Sequence, residues 1–187
     1  PASEEQGKES LVDTFVSIGY DEKAQKAVLR DVYPREKSLK DSLFSELVDY
    51  CYPLGVSSPE TKARLPHGHA FHFIPRRSTL RLYGVCLVTY TKISRGNDGK
   101  HKNKAYYFVP QAIVLLSKHP YHKTLFELLK ILHRIVISRP PLPIEYYVHH
   151  LVSSVPIPPG DGRMKYLYNI GSNATCSVEC PPVMGGL

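Results

Sequence analysis

The sequence predicts a mixed α/β (α+β) domain in which helices cover a β-sheet. Apolar residues alternate with a period of two in several short segments, and the clearest is RLYGVCLVTY at residues 81–90. Apolar residues recur at helical spacing over residues 124–138. Because residues 81–90 are apolar on both faces, they fit an interior strand of a sheet that is covered on both sides.

The N-terminal part is predicted to contain one strand and one short helix. Residues 1–10 are polar and are expected to form a disordered extension. Residues 11–19 alternate and end at Gly19, which predicts a strand. The charged stretch 21–41 predicts a connection of low order, or at most a short helix. Residues 42–53, SLFSELVDYCYP, have apolar residues at helical spacing and a stop at Pro53, so a short helix is expected.

Two strands joined by a turn are predicted next. HAFHFIPR, at residues 69–76, alternates, and Arg77 to Thr79 can turn the chain back into the strand at residues 81–90. Gly84 in the middle of that strand indicates that a neighbouring group approaches closely. The strand has two predicted faces, one with Leu82, Gly84, Cys86 and Val88, and the other with Tyr83, Val85 and Leu87.

The second half is predicted to contain a hairpin, two helices and a final strand. Residues 92–104 are predicted to form a basic hairpin tip. Residues 104–120 are predicted to form two strands, or one strand bent at a bulge around Val109–Pro110, because proline cannot donate a hydrogen bond to the ladder. A helix follows, in which Thr124 and Glu127 have capping-box spacing. A second helix, IEYYVHHLVSSV at residues 144–155, starts after Pro143 and ends at Pro156. Beyond a proline-rich and glycine-rich linker, residues 163–170 predict a strand. The apolar face of the first helix comprises Leu125, Leu128, Leu129, Leu132, Ile135 and Val136.

Composition and charge limit the function classes. The net charge is +7, but the densest basic run lacks interleaved aromatic residues, so we expect no nucleic-acid binding and keep an anionic membrane surface as a possible partner. Four cysteines are too few for a disulfide framework, and no signal peptide is visible, which favours a reducing, cytoplasmic location. The chain begins with Pro1 and ends abruptly, so we expect it to be a piece of a longer protein.

No catalytic, cofactor or metal site is predicted. The phosphate-binding glycine patterns and the G-x-S-x-G nucleophile elbow do not occur. His67 and His69 share one face of an extended segment whereas His72 points to the other, and Cys176 and Cys180 have no second cysteine pair, so neither group meets the four-ligand spacing of structural zinc. The exposed-aromatic candidates for partner binding are Tyr106, Tyr107, Tyr146 and Tyr147, although such residues also serve as core and sheet edge.

Several segments, taken in order, resemble the N-terminal module of the DENN-domain family, whose members are guanine-nucleotide exchange factors for Rab GTPases. The most specific segment is residues 81–87, RLYGVCL, followed by 107–120, YFVPQAIVLLSKHP, and 141–150, PLPIEYYVHH. The strand at residues 11–19 and the helix that ends at Pro53 also match. The resemblance spans residues 11–168, and its signature scaffold residues are Pro53, Tyr83, Gly84, Cys86, Leu87 and Pro110.

The resemblance implies a longin-like lobe at residues 11–155, an antiparallel sheet flanked by helices, followed by a linker and the start of the central DENN lobe at residues 156–187. It also implies that the intact protein binds a Rab between two lobes and remodels its switch regions, peripheral to trafficking membranes, without a covalent or acid/base site. The fragment alone is expected to be weak or inactive in exchange. The alternative is a non-catalytic longin-like trafficking adaptor or scaffold.

Overall fold

The computed structural model of the chain describes residues 9–35, 46–56, 59–74, 79–94, 106–138, 141–157, 164–169 and 175–180. Strands and helices are both present in the described residues, which confirms the mixed α/β class. In chain order the elements are β1 (Thr14–Asp21), β2 (Lys26–Tyr33), α1 (Leu47–Cys51), β3 (His67–Phe73), β4 (Leu82–Ser94), β5 (Tyr106–Ser117), α2 (His122–Ser138), α3 (Ile144–Ser154), β6 (Met164–Asn169) and β7 (Thr175–Cys180).

The five strands β1 to β5 form one open antiparallel sheet in the order β2-β1-β5-β4-β3. This arrangement agrees with the longin-like fold that the resemblance implies. Strands β6 and β7 form a separate antiparallel pair, and β7 lies beside α2. None of the described helices is both long enough and apolar enough to span a bilayer.

Strand β4 separates two apolar cores, as its sequence predicts. Val85 and Leu87 pack with α2 and α3, whereas Leu82, Cys86 and Val88 pack with Leu47 and Cys51 of α1. Each fully buried leucine contributes about 1.5–3 kcal/mol to stability through removal of apolar surface from water. The interior strand at residues 81–90 therefore lies between the short helix and the long helix.

A ring approaches the backbone at Gly84, which explains the glycine. A methyl group built on Gly84 would lie 2.4 Å from Cε2 of Phe71 and 3.0 Å from Cδ2 of Leu116. Phe71 stands opposite Gly84 in the β3–β4 pairing. Gly84 is therefore required for space, and the expected close neighbour is Phe71.

The interpretation of residues 21–41 as a connection is wrong, because residues 26–33 form strand β2. The β1–β2 turn is stabilised by the Asp21 carboxylate, which accepts hydrogen bonds from the backbone amides of Lys23 (2.9 Å) and Ala24 (3.2 Å). The bond from Ala24 has the largest effect, and together with the bond from Lys23 it holds the pKa of Asp21 below its usual value. Because charged residues occupy the exposed positions of this edge strand, its sequence shows no clear alternation of apolar and polar residues.

The prediction of a break or bulge at Val109–Pro110 is also wrong. Strand β5 is continuous, and its register with β4 passes through Tyr90↔Pro110 without a shift. The paired segment of β1 ends at Ile18↔Ala112, so no β1 residue opposes Pro110. The nitrogen of Pro110, which carries no hydrogen, faces that unpaired side, and a strand tolerates proline there.

The long helix differs from its prediction in three residues. Ile131 is buried, whereas Val136 is 50% exposed. Thr124 lies inside the first turn with its hydroxyl buried and without a hydrogen-bond partner, so it does not cap the helix. The start of α3 after Pro143 is confirmed.

The sequence predicts one strand beyond the linker, at residues 163–170, but Cys176 and Cys180 belong to a further strand, β7. Other predictions lie outside the described residues. They concern residues 1–8, the start of the short helix at residues 42–45, the turn at residues 77–78, the hairpin tip at residues 95–105 and the linker at residues 158–163.

We predict that Gly84→Val destabilises the domain by about 1–3 kcal/mol, because the new side chain overlaps the Phe71 ring. Urea unfolding of the full chain measures the loss. Phe71→Leu removes part of the overlap, so the double variant should lose less stability than the two single losses added together. Strict additivity would contradict the steric explanation.

Candidate partner-binding cleft

The hairpin formed by β1 and β2 and the hairpin formed by β4 and β5 diverge and leave a cleft between them. Strand β1 pairs with β5 only from Thr14↔Leu116 to Ile18↔Ala112, whereas β5 stays paired with β4 as far as Tyr106. The two hairpins therefore separate beyond Ala112. The resulting cleft has a volume of about 770 Å³, and its lining includes Gly19, Arg30, Arg64, Thr91, Gln111, His133, Val136 and Ile137.

A hydrogen bond joins the two hairpins beyond this opening. The hydroxyl of Tyr107 in β5 donates to Oε2 of Glu22 in the β1–β2 turn at 2.6 Å. Both residues also line an adjoining pocket of about 460 Å³, together with Tyr20 and Tyr106. Tyr107 thus has a structural role at this mouth of the cleft.

Tyr106 is more accessible than its neighbour. Its side chain is 45% exposed, and Nζ of Lys92 lies 4.0 Å from the centre of its ring. A cation over an exposed tyrosine ring contributes about 0.5–1 kcal/mol. Tyr106 and Lys92 therefore form an ordered aromatic and cationic surface beside the pocket.

The segment that contains Glu60 occupies the edge of β5 that β1 leaves unpaired. The Glu60 N–H donates to the Phe108 carbonyl at 3.1 Å, and the Phe108 N–H donates to the Glu60 carbonyl at 2.7 Å. The Glu60 carboxylate accepts a bond from Nε of Arg64 at 2.9 Å and lies 2.5 Å from its Nη2. This pairing raises the pKa of Arg64 and fixes its guanidinium at the cleft.

A second arginine is held at the wall of the cleft by a β-bulge. The β1–β2 register shifts so that Arg30 is the extra residue between Leu29 and Asp31. Nη2 of Arg30 donates to the Tyr20 carbonyl at 2.8 Å. Its side chain crosses Gly19, where a methyl group would lie 2.5 Å from Nε. The cleft therefore contains two ordered cations, with Glu22 beside them.

The last turn of α2 gives the cleft an apolar side. Val136 is 50% and Ile137 66% exposed. Burial lowers the pKa of neighbouring His133, which keeps this side chain neutral near pH 7. The helical periodicity predicts Val136 in the core, which is wrong, and gives no signal for Ile137. Exposed apolar side chains next to fixed cations suit a protein partner better than a small polar substrate.

The four predicted tyrosines belong to two separate elements. Tyr106 and Tyr107 begin β5, whereas Tyr146 and Tyr147 lie in the first half of α3, where their rings meet edge to face at 5.8 Å. Tyr146 is 58% exposed. Tyr147 is half-buried against the core beneath α2 and α3. Only the first pair borders the pocket beside the cleft, and the role of all four in binding stays a prediction.

The histidines of β3 diverge, as their spacing predicts. Nε2 of His69 donates to the Tyr50 carbonyl at 2.7 Å, while His72 stacks on His122 of α2 with ring centres 5.7 Å apart. His67 instead lies near the Tyr90 ring. Within the described residues, no three histidine, cysteine or acidic side chains are grouped as metal ligands would be.

Most of the signature scaffold residues have a packing role in the structure. Cys51 and Cys86 are free and buried. A hydrogen bond with Cys86, followed by burial, raises the pKa of Cys51, so its thiol stays protonated. Tyr83 packs edge to face against His72 and His122. Pro53 follows α1 in a turn, and Pro110 is buried in β5.

Comparison with known families adds one finding. Residues 108–182 match the family model described as the DENN (AEX-3) domain. The matched stretch is less than half of the 187 residues. It contains most of β5, both long helices and the β6–β7 pair, and it runs across the boundary predicted at residues 155–156.

We predict that Tyr107→Phe loosens the two hairpins by removing the bond to Glu22. The loss of global stability should be at most about 1 kcal/mol, because the bond is exposed. Hydrogen exchange at the amides of residues 19–25 should become faster. Tyr106→Phe is the matched control and should leave that exchange unchanged. Equal exchange rates in both variants would contradict a link through Tyr107.

We predict that the domain loses stability as the pH falls below about 6.5, the unperturbed histidine pKa. Burial lowers the pKa of His133, and burial followed by the neighbouring His72 lowers that of His122. The unfolded chain therefore binds more protons than the folded chain in this range. Urea unfolding at pH 7.5 and 5.5 measures the difference.

The pH effect has a matched control. Replacing both His122 and His133 by glutamine should reduce the difference in unfolding free energy between the two pH values. Leu54→Gln changes no titratable group, at a side chain that is 99% exposed beyond α1, and should not reduce it. An unchanged difference in the double variant would show that other groups cause the acid sensitivity.

Proposed function

We propose, from the premise that this chain is a DENN-domain protein, that it forms the N-terminal, longin-like lobe of a guanine-nucleotide exchange factor for a Rab GTPase in membrane trafficking. The observation that carries the proposal is the family match over residues 108–182. The five-stranded antiparallel sheet with helices on both faces supports it, because it agrees with the fold expected of that lobe.

Nucleotide exchange is catalysis by differential binding. An exchange factor accelerates GDP release when it binds the nucleotide-free GTPase more tightly than the GDP-bound form. It needs a complementary surface and not a nucleophile or an acid/base pair. The cleft supplies such a surface through Val136 and Ile137 at its apolar side and the fixed guanidinium groups of Arg30 and Arg64.

The partners follow from the same proposal. A Rab GTPase is the substrate-like partner, and the other lobes of the DENN protein complete its binding site. The site of action is cytoplasmic and peripheral to trafficking membranes. Since the family resemblance places the GTPase between two lobes, the chain alone should bind a Rab weakly and give little or no exchange.

We predict that the immobilised 187-residue chain retains a nucleotide-free Rab in preference to the same Rab loaded with GDP, across a panel of Rab proteins. Ile137→Glu should weaken that binding about tenfold, because it places a charge on the apolar side of the cleft. The matched control is Leu54→Glu, since Leu54 is 99% exposed and lies beyond α1. Its substitution should have no effect.

Release of fluorescent GDP from the same panel separates the two candidate functions. Preferential binding with slow release agrees with an incomplete exchange factor. Equal binding of the GDP-bound and nucleotide-free forms indicates the adaptor or scaffold instead. Robust release by the chain alone would overturn the claim that a second lobe is required, and binding to no member of the panel would overturn the proposed function.

A further inference from the structure

The two edges of the five-stranded sheet differ in how they are protected. Edge strand β2 carries a bulge at Arg30 and exposed charges at Lys26, Arg30 and Asp31. Bulges and charges discourage the addition of another strand to a sheet edge. Edge strand β2 therefore has the usual devices against unwanted pairing.

Edge strand β3 lacks both devices. It pairs with β4 through seven consecutive positions, from His67↔Val88 to Phe73↔Leu82, without a shift in register. Its sequence HGHAFHF contains no lysine, arginine, acid or proline. A regular, uncharged edge strand of this kind is a template for an added strand.

The register identifies the backbone groups that β3 directs outward. The hydrogen bonds of Phe108 to Glu60 point away from β4, so the odd-numbered residues of β5 bond to β4. The even-numbered residues of β4, including Gly84, then bond to β3. It follows that the N–H and C=O groups of Gly68, Ala70 and His72 point away from the sheet. All three residues are exposed.

The side of this edge that faces α2 carries cations. The Phe126 ring covers Gly68, since a methyl group there would lie 2.4 Å from its Cζ. Nζ of Lys130 lies 5.8 Å from the centre of that ring and pairs with Glu127 at 2.7 Å. Lys123 is exposed in the first turn of α2, next to His122, whose ring stacks on that of His72 in β3. Two lysines and one acid therefore border the edge on this side.

The side that faces α1 is more apolar. The Tyr50 ring lies 5.6 Å from the Phe71 ring and 5.5 Å from the Phe73 ring, and Tyr50 is 38% exposed. Asp49 is the acidic residue of α1. A strand added to β3 would place alternate side chains over these two surfaces.

We propose that the β3 edge binds an extended segment of a partner protein by strand addition, with acidic side chains toward α2 and apolar side chains toward α1. Addition of a second copy is disfavoured, because antiparallel β3–β3 pairing about a twofold axis places Lys123 and Lys130 of both α2 helices on the same side of the joint sheet. This inference does not rest on the exchange function.

The first test measures peptide binding to the full 187-residue chain by fluorescence anisotropy. The probe is a labelled octapeptide of alternating valine and glutamate, and the matched control has lysine in place of glutamate. We expect the acidic peptide to bind at least about tenfold more tightly. Equal affinity, or no binding of the acidic peptide, would overturn the proposal.

Backbone methylation makes the test specific for edge pairing. In antiparallel addition, the residue opposite Ala70 shares its face and directs its N–H to β3, so N-methyl glutamates block binding and N-methyl valines do not. In parallel addition the valines direct their N–H groups to β3, so N-methyl valines block binding and N-methyl glutamates do not. A loss of affinity with one methylated set alone supports edge pairing and gives the strand direction. Equal effects of the two sets contradict it.

Ala70→Pro tests the edge from the side of the protein. Proline removes an outward N–H that takes no part in the β4 ladder, so the variant should fold and lose about tenfold or more in peptide affinity. Ala70→Ser keeps the N–H and should bind normally. Unchanged affinity in folded Ala70→Pro would overturn the proposal, and the methylated peptides decide it if that variant is unfolded.

Size-exclusion chromatography with light scattering tests the competing occupant. The chain should be monomeric at micromolar concentration. A dimer that Ala70→Pro dissociates would assign the edge to a second copy and overturn the acidic partner. Failure of the Rab experiments would leave the peptide results unaffected, because the lining of the cleft includes no residue of β3.

Discussion

The uninterrupted pairing of β4 with β5 is the constraint on which the rest of the structure depends. It runs from Tyr83↔Ser117 to Ser94↔Tyr106. One half of this ladder carries both apolar cores, because its side chains alternate between the α1 side and the α2 side. The other half extends beyond the end of the β1 pairing at Ile18↔Ala112, and this difference in length produces the cleft.

The same ladder explains why substitutions at its two ends should act differently. Around Gly84 the strand is enclosed by Phe71 and Leu116, so an added atom has no space and affects stability. Around Tyr106 the ladder is covered on fewer sides, and side chains such as Lys92 are exposed. The partner-binding surface of the cleft is therefore expected where the ladder leaves the cores.

The sequence predicts the elements whose apolar pattern is strong and local. The strand at residues 81–90, the amphipathic helix and the start of α3 are examples. Strand β2 has no clear apolar pattern in the sequence, because only Ala27 and Val32 are buried in it. The effect of Pro110 could not be predicted, since it depends on where β1 stops pairing. The cleft arises from pairing between residues roughly one hundred positions apart, so no local spacing predicts it.

The different protection of the two sheet edges separates the two proposed surfaces. An exposed regular edge carries a risk of unwanted association, so a bulge and charges at β2 have a clear physical advantage. The same advantage would apply to β3, yet its sequence has no lysine, arginine or acidic residue at the outward positions 68, 70 and 72. A partner strand that pairs with β3 would form hydrogen bonds with these outward backbone groups, so the edge would need no charged side chains for protection. The need to protect this edge is independent of whether the cleft binds a GTPase.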